Sequence, residues 1–313
     1  MLCDEDDDAS LVFEIVDDGF IVRLFRKGCY FSLIVWPVWI CCNAVSKMIA
    51  EKAYIYRVDQ LVRNYLLADP VVPYTSIIAG IFMSKMAYNA TNSISSYYKG
   101  FSSLKNIQQV EWNNRGMSSV HAVFITAMSI YLVFFSDLFA NRPDGLIIFR
   151  NSSVSNFSLG ISIGYFITDL TMIFWLYPSL GGIEYVLHHL LSIIAVSYAI
   201  STGEGQLYTY IVLISEATTP GINLRWFLDT AGMKNSRAYT INGVMMVVAW
   251  LVARILLFIY LFCNLYLYYD QIEQMHKFGY FLTFMVPTTL FIMNVMWFRK
   301  IIRGLVKMLT KQQ

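Results

Sequence analysis

From residue 70 onward the chain is built of long stretches without Asp, Glu, Lys or Arg. The clearest are 116–136, 151–168 continuing past Asp169 to 183, 185–203 and 278–298. Two more are interrupted once: 70–84 passes Lys85 and continues to 98, and 238–253 passes Arg254 and continues to 269. A shorter run, 205–215, meets Glu216 and then Pro220. A helix needs roughly 20 mainly apolar residues to cross a bilayer. The pattern therefore predicts spans near 72–91, 117–136, 158–177, 183–200, 205–220, 238–262 and 278–298, of which the fifth is short and carries both Glu216 and Pro220. The stretch 28–46 is also free of charge; it follows Arg23, Arg26 and Lys27 and holds Pro37 at its centre. It reads as an eighth span, an interfacial segment or a signal anchor. The acidic stretch before it is the wrong lead-in for a cleaved signal peptide. The expected fold is an all-α, polytopic transmembrane helix bundle. Residues 1–67 form an N-terminal extension, acidic and then apolar; residues 68–313 form the transmembrane domain with a basic C-terminal tail.

Composition agrees. Hydrophobic residues make up 57% of the chain and charged residues 14%, against about 25% in a soluble domain. The mean hydropathy is +0.52. A disordered chain is excluded and a soluble enzyme disfavoured. Nucleic-acid binding is also disfavoured, since the formal charge is only +2 and no basic recognition motif is present. That charge hides an asymmetry: residues 1–18 hold eight acids and no Lys or Arg, so the rest carries 23 basic against 13 acidic residues, a balance suited to an anionic leaflet. The five cysteines, at 3, 29, 41, 42 and 263, show no zinc spacing, and no metal site is expected.

Loop charges set the orientation. On the seven-span reading, eleven Lys and Arg follow spans 1, 3, 5 and 7, and three follow spans 2, 4 and 6. This places the C-terminus in the cytosol and puts two glycosylation sequons, Asn151-Ser-Ser and Asn156-Phe-Ser, on the lumenal side.

Polar and ionisable groups are costly in hydrocarbon and tend to face a bundle interior or a cavity. Here His121, Asp169, Glu184, His188, His189, Glu216, Asn223, Arg225 and Arg254 all fall in or beside predicted spans. Three of the four histidines are among them, more than an apolar scaffold needs. Glu184 and His188 are four apart and share a helix face. His188 and His189 point about 100° apart, so both can line a cavity without sharing a stripe. A histidine next to Asp169 or Glu216 can serve as general base for acyl transfer. The competing reading is interhelical hydrogen bonding. Arg254 reads as the partner of an intramembrane carboxylate. Trp112, Tyr177, Tyr185 and Trp297 suit an interfacial aromatic belt. Gly160 and Gly164 form a G-x-x-x-G suited to close helix packing.

The stretch VEWNNRGMSSVHA (110–122) resembles the opening signature of the TLC-domain family, which includes the translocating-chain-associating membrane protein and the ceramide synthases. GYFITDL (164–170), GGIEYVLHHLLS (181–192), SEATTPGINLRWFLDTAG (215–232) and WLVARI (250–255) follow in order. Together they are most similar to the TLC domain-containing protein 4 branch, its plant members above all, over roughly 68–310. The resemblance implies an endoplasmic reticulum or related endomembrane bundle concerned with lipids. In ceramide synthases a His-His pair opens the active-site motif, and His188 and His189 match it. Those enzymes add a His-Asp and a further Asp on the next span. Here that span offers only Glu216, which speaks against ceramide synthesis itself.

The expected site is therefore His188, His189, Glu216 and Asp169 as catalytic groups, with His121, Glu184, Asn223, Arg225 and Arg254 around the cavity. Membrane lipids are the expected partners, acyl-CoA the co-substrate of an enzyme reading. The rivals are a non-catalytic lipid-binding, sensing or regulatory protein and, ranked last, a cargo or export receptor.

Overall fold

The computed structural model describes residues 12–16, 19–23, 72–140 and 145–312. The chain divides into two units, Met1–Val62 and Arg63–Gln313. In the first, strands β1 (Val12–Val16) and β2 (Gly19–Arg23) pair antiparallel, with Val12 opposite Arg23 and Val16 opposite Gly19. Both strands are rich in β-branched and aromatic residues, which favour this pairing over helix. The hairpin departs from the all-α expectation, which holds from Val72 onward. The 28–46 stretch and the boundary expected at 67/68 lie outside the described residues.

The second unit is a helical bundle. Its longer helices are α1 (Val72–Ser95), α2 (Asn106–Ile130), α3 (Ser153–Trp175), α4 (Ile183–Thr202), α5 (Gln206–Leu213), α6 (Thr219–Thr230), α7 (Arg237–Trp250), α8 (Leu257–Leu267) and α9 (Lys277–Gln312). A π-helical turn, Tyr131–Phe135, extends α2; another, Leu251–Leu256, joins α7 to α8 as one rod. A buried 3-10 turn, Ile214–Thr218, joins α5 to α6. Among the described residues five helical segments are long and apolar enough to cross a membrane: Asn106–Phe135, Ser153–Trp175, Ile183–Thr202, Arg237–Leu267 and Lys277–Met308.

Two of the seven expected spans differ. α1 is long enough at 24 residues, but Lys85 and its Ser, Thr, Tyr and Asn residues dilute its apolar character. The fifth is broken. Pro220 lacks an N–H and sits in the first turn of α6, so the helix stops at Leu213 and restarts at Thr219. Irregular backbone at membrane depth must be buried in protein, and Ile214, Ser215, Glu216 and Thr218 are. A third difference concerns boundaries: α2 begins at Asn106, well before residue 117, and takes Glu111, Asn114 and Arg115 into the helix.

α3 is the central helix, with 67% of its most apolar stretch buried against 22–33% in the other four long segments. Ser152 caps it, accepting from the Ser155 N–H at 3.1 Å while the Ser155 hydroxyl accepts from the Ser152 N–H at 2.8 Å. α1 lies along α3 at backbone distance. A Cβ on Gly80 would overlap the Ile161 carbonyl, one on Gly160 the Ser76 side chain, and one on Gly164 the Ile77 carbonyl. The G-x-x-x-G thus packs inside the chain, against Ser76 and Gly80 of α1. Polar contacts support the bundle: Asn113 donates to Asn92 at 3.0 Å, and buried Gln206 donates to Asn156 at 2.7 Å.

Following the chain, the 99–105 connection, the first turns of α2, the 176–182 loop, the 231–236 loop and the end of α9 gather at one end of the bundle. It holds Lys99, Lys105, Arg115, Lys234, Arg237 and Arg299 to Lys307, and is called the basic end below.

Candidate functional site

A cavity of about 240 Å³ lies between α2, α3, α4, α6, α7 and α9, toward the basic end. α3 brings Asp169 to its wall and α4 brings His188 and His189. The α5–α6 break brings Glu216, and the π-turn brings Arg254. π-turns often mark functional positions because the extra residue re-aims the following side chains.

His189 is buried and held at both nitrogens. Its Nδ1 lies 2.9 Å from the Tyr185 carbonyl and its Nε2 2.8 Å from Asp169 Oδ2. A carbonyl only accepts, so Nδ1 carries a hydrogen. The Nε2–Oδ2 contact then needs one proton, which the pair shares, leaving it with no net charge. His189 consequently has no lone pair to offer a substrate. Asp169 is filled from its other sides: Asn114 donates to Oδ1 at 2.5 Å and the Tyr165 hydroxyl to Oδ2 at 3.3 Å.

His188 is different. Its Nδ1 is buried and has no hydrogen-bond partner, and its Nε2 is 3.9 Å from Glu216 Oε1, beyond hydrogen-bond reach. Trp297 stands edge-on to the ring at 6.0 Å. Glu216 is occupied elsewhere, accepting from Thr219 at 2.8 Å and facing Arg254 Nη2 at 3.5 Å. Arg254 also donates to Thr218 at 2.8 Å and Asn294 at 3.2 Å, and lies over the Trp250 ring at 4.7 Å. A buried arginine thus has an acceptor or a π-face on every side, which offsets its desolvation.

A second polar layer lies nearer the basic end. Arg115 donates to Glu111 through Nε at 3.0 Å and Nη2 at 2.7 Å, and to Asn223 through Nη1 at 3.1 Å. Asn223 returns bonds to the Arg115 carbonyl and the Ser119 hydroxyl, each at 3.0 Å, and ties α6 to α2. Lys300 of α9 is exposed and also lines the cavity.

Of the residues expected at the site, His188, His189, Asp169, Glu216, Asn223 and Arg254 line this one cavity. Arg225, Glu184 and His121 do not. Arg225 lies over the Tyr239 ring at 4.0 Å and donates to the Tyr239 carbonyl. Glu184, in the first turn of α4, is set one turn back from His188. His121 is buried and stacked on Tyr165 at 3.8 Å on the side facing α1, where neither ring nitrogen has a partner. Trp297 lines the cavity, while Trp112 packs against Phe227 at 4.6 Å and donates to Ser95; neither is free to serve only as a belt residue.

The sequence reading omitted Glu111, Asn114, Arg115 and Ser118. Their spacing of 3, 1 and 3 marks one helix face, but the apolar run begins only at Gly116, so Arg115 is read as a loop cation. Among the described residues no His, Cys, Asp and Glu side chains converge as metal ligands do.

The helices and the buried polar cavity define a multi-pass membrane protein with a polar intramembrane chamber. The TLC-domain family model matches residues 111–303, and the chain belongs to the TLC-domain family. It is similar to TLC domain-containing protein 4-B of Xenopus laevis, 29% identical over 220 residues that cover 67% of this chain and 80% of that one. It is equally similar to TLC domain-containing protein 4 of Homo sapiens, 29% identical over 215 residues with the same coverage. With TLC domain-containing protein 4-B of Danio rerio the identity is 24% over 240 residues, covering 75% and 89%. The matched region holds all the cavity residues named above, Glu111 to Lys300.

Proposed function

We propose that this protein acts in lipid homeostasis in the endoplasmic reticulum or a related endomembrane, as an acyltransferase that takes acyl-CoA from the cytosolic side. The observation that carries the reading is His188, which lines a polar cavity with neither ring nitrogen hydrogen-bonded. His188 would accept the proton of an amine or hydroxyl as that group attacks the thioester carbonyl. The new C–N or C–O bond forms, the C–S bond breaks, and the CoA thiolate leaves with the proton from His188. His189 and Asp169 are positioning residues in this scheme, since their hydrogen bonds are used within the protein. The test is whole-lipid mass spectrometry of cells lacking the protein, rescued at matched expression. Wild type should restore a defined lipid class, and His188→Ala should restore it at about 10²- to 10⁴-fold lower turnover, the loss typical of a general base. Full rescue by His188→Ala, with wild-type abundance, would sink the acyltransferase reading.

A second reading is favoured by one distance. Glu216 is committed to Arg254 and Thr219 and stands 3.9 Å from His188, so no His–carboxylate dyad is assembled around the open nitrogen. On this reading the cavity binds a lipid without transforming it, and the protein senses it or regulates membrane composition. A lipid that co-purifies at near one-to-one ratio and is unchanged by acyl-CoA would support it.

The proposed orientation keeps the basic end cytosolic. Setting aside Arg115 and Arg225, whose guanidinium groups are bonded between helices within the bundle, leaves nine cations against three. Asn156 is inside α3 and bonded to Gln206, which leaves Asn151 as the exposed sequon. A C-terminal epitope should be reached by antibody when only the plasma membrane is permeabilised. Staining only after full permeabilisation would reverse the orientation and with it the side from which acyl-CoA enters.

A further inference from the structure

A second, thinner cavity of about 60 Å³ lies at the other end of the bundle, between α4, α5 and α9. Its walls are apolar: Val196, Leu213, Leu282, Val286 and Leu290 are all buried. From Gly279 to Leu290 it follows α9 for about 16 Å at the rise of an α-helix. A groove of this length with so small a volume suits one alkyl chain. Two backbone features shape its mouth. Gly205 adopts the left-handed conformation, with φ of 68°, in the tight link between α4 and α5. Gly279 lets α9 approach the Tyr198 ring, which a Cβ there would overlap.

Glu204 lies in that link and lines the mouth. Its Oε2 accepts from the Tyr198 hydroxyl and, at 3.3 Å, from the His276 N–H. Its Oε1 has no partner, and no cation pairs with it, among the described residues. Deeper in, Tyr208 lines the groove, and its buried hydroxyl is also without a partner. A half-buried carboxylate facing no cation, at the open end of an apolar slot, selects for a positively charged or hydrogen-donating head and against an anionic one.

We propose that this groove is a separate binding site for a single-chain amphiphile with a protonated amine head, the ammonium resting on Glu204 and the tail lying between α4, α5 and α9. The site does not depend on the role of the histidine cavity.

The test uses the full-length protein in nanodiscs of phosphatidylcholine and three photoreactive, alkyne-tagged probes of equal chain length: a primary amine, an alcohol and a fatty acid. Cross-linked peptides are mapped by mass spectrometry. At neutral pH the amine should label 192–213 and 275–290 about ten-fold more than the fatty acid, with the alcohol between them. Glu204→Gln should bring the amine down to the level of the alcohol, and His188→Ala should change nothing. Val212→Phe, which narrows the slot without touching the carboxylate, should reduce labelling by all three probes and keeps the test open if the Glu204 variant does not fold. Equal labelling by amine and acid, labelling confined to other helices, or an amine preference that survives Glu204→Gln would each overturn the proposal. Loss of labelling in His188→Ala would show that the probe occupies the histidine cavity instead.

Discussion

Asp169→Ala should destabilise the detergent-solubilised protein by about 3–5 kcal/mol, the usual cost of removing one member of a buried, hydrogen-bonded charge pair. Three donors converge on this carboxylate: His189 Nε2 at 2.8 Å, Asn114 Nδ2 at 2.5 Å and the Tyr165 hydroxyl at 3.3 Å. They come from α4, α2 and α3, so one side chain ties three helices together. Alanine leaves all of them without their shared acceptor. Asp169→Asn is the informative control. His189 can become neutral, keep its Nδ1–H on the Tyr185 carbonyl and accept at Nε2 from the new amide. The amide oxygen, in place of Oδ1, still receives Asn114, and the Tyr165 hydroxyl, which faces the Oδ2 position, turns to accept from the amide NH2. Hydrogen-bond satisfaction therefore predicts that the asparagine variant unfolds within about 1 kcal/mol of wild type. Thermal unfolding in one detergent, read by intrinsic fluorescence, measures both. An equal loss in both variants would mean that the ion pair, and no shared hydrogen-bond network, holds the three helices.

How much of this was legible in the sequence follows from what each signal measures. Charge-free runs report apolar environment, so the helices that meet lipid on one face, α4 and the α7–α8 rod, were placed close to their true extents. The same signal fails wherever a helix carries polar groups for the cavity. α2 begins with Glu111, Asn114 and Arg115 on its inner face and reads as a loop until Gly116. The break at Glu216 and Pro220 was visible as residues that a continuous apolar helix resists. What it accomplishes was not: it carries Glu216 to Arg254 across a gap of 38 positions. Histidines 188 and 189 were a pair in sequence with no means of ranking them. The two rings differ only because Tyr185 and Asp169 saturate one and leave the other open, and that is a property of three-dimensional neighbours. His121 shows the converse: a histidine in an apolar run reads as lining the common cavity, yet it lines a separate small pocket that faces α1.

Gly164→Leu should leave almost no folded protein. A Cβ at this position would fall on the Ile77 carbonyl, and the nearest alternatives, the Ile81 nitrogen at 2.7 Å and the Gly80 Cα at 2.8 Å, are backbone too. No side-chain rotation relieves that overlap; α1 would have to move bodily away from α3. The contact cannot then be recovered, because in a bilayer close van der Waals packing between small residues does much of the work that water-driven burial does in soluble proteins. α1 is also the helix least able to stand in lipid alone, since Ser76, Ser84 and Ser95 are buried in the bundle and Lys85 lies beside them. Separation would present these groups to hydrocarbon. Steady-state abundance after block of translation measures the effect, and a proteasome inhibitor should restore the Gly164→Leu chain as an insoluble species. Gly160→Ala is the graded partner: its Cβ meets mainly the Ser76 side chain, which can rotate, so that protein should accumulate at a reduced level. Serine at position 76 replaced by glycine should rescue Gly160→Ala and fail to rescue Gly164→Leu. Rescue of both would mean that the two glycines make room for side chains only, and that the α1 and α3 backbones are free to part.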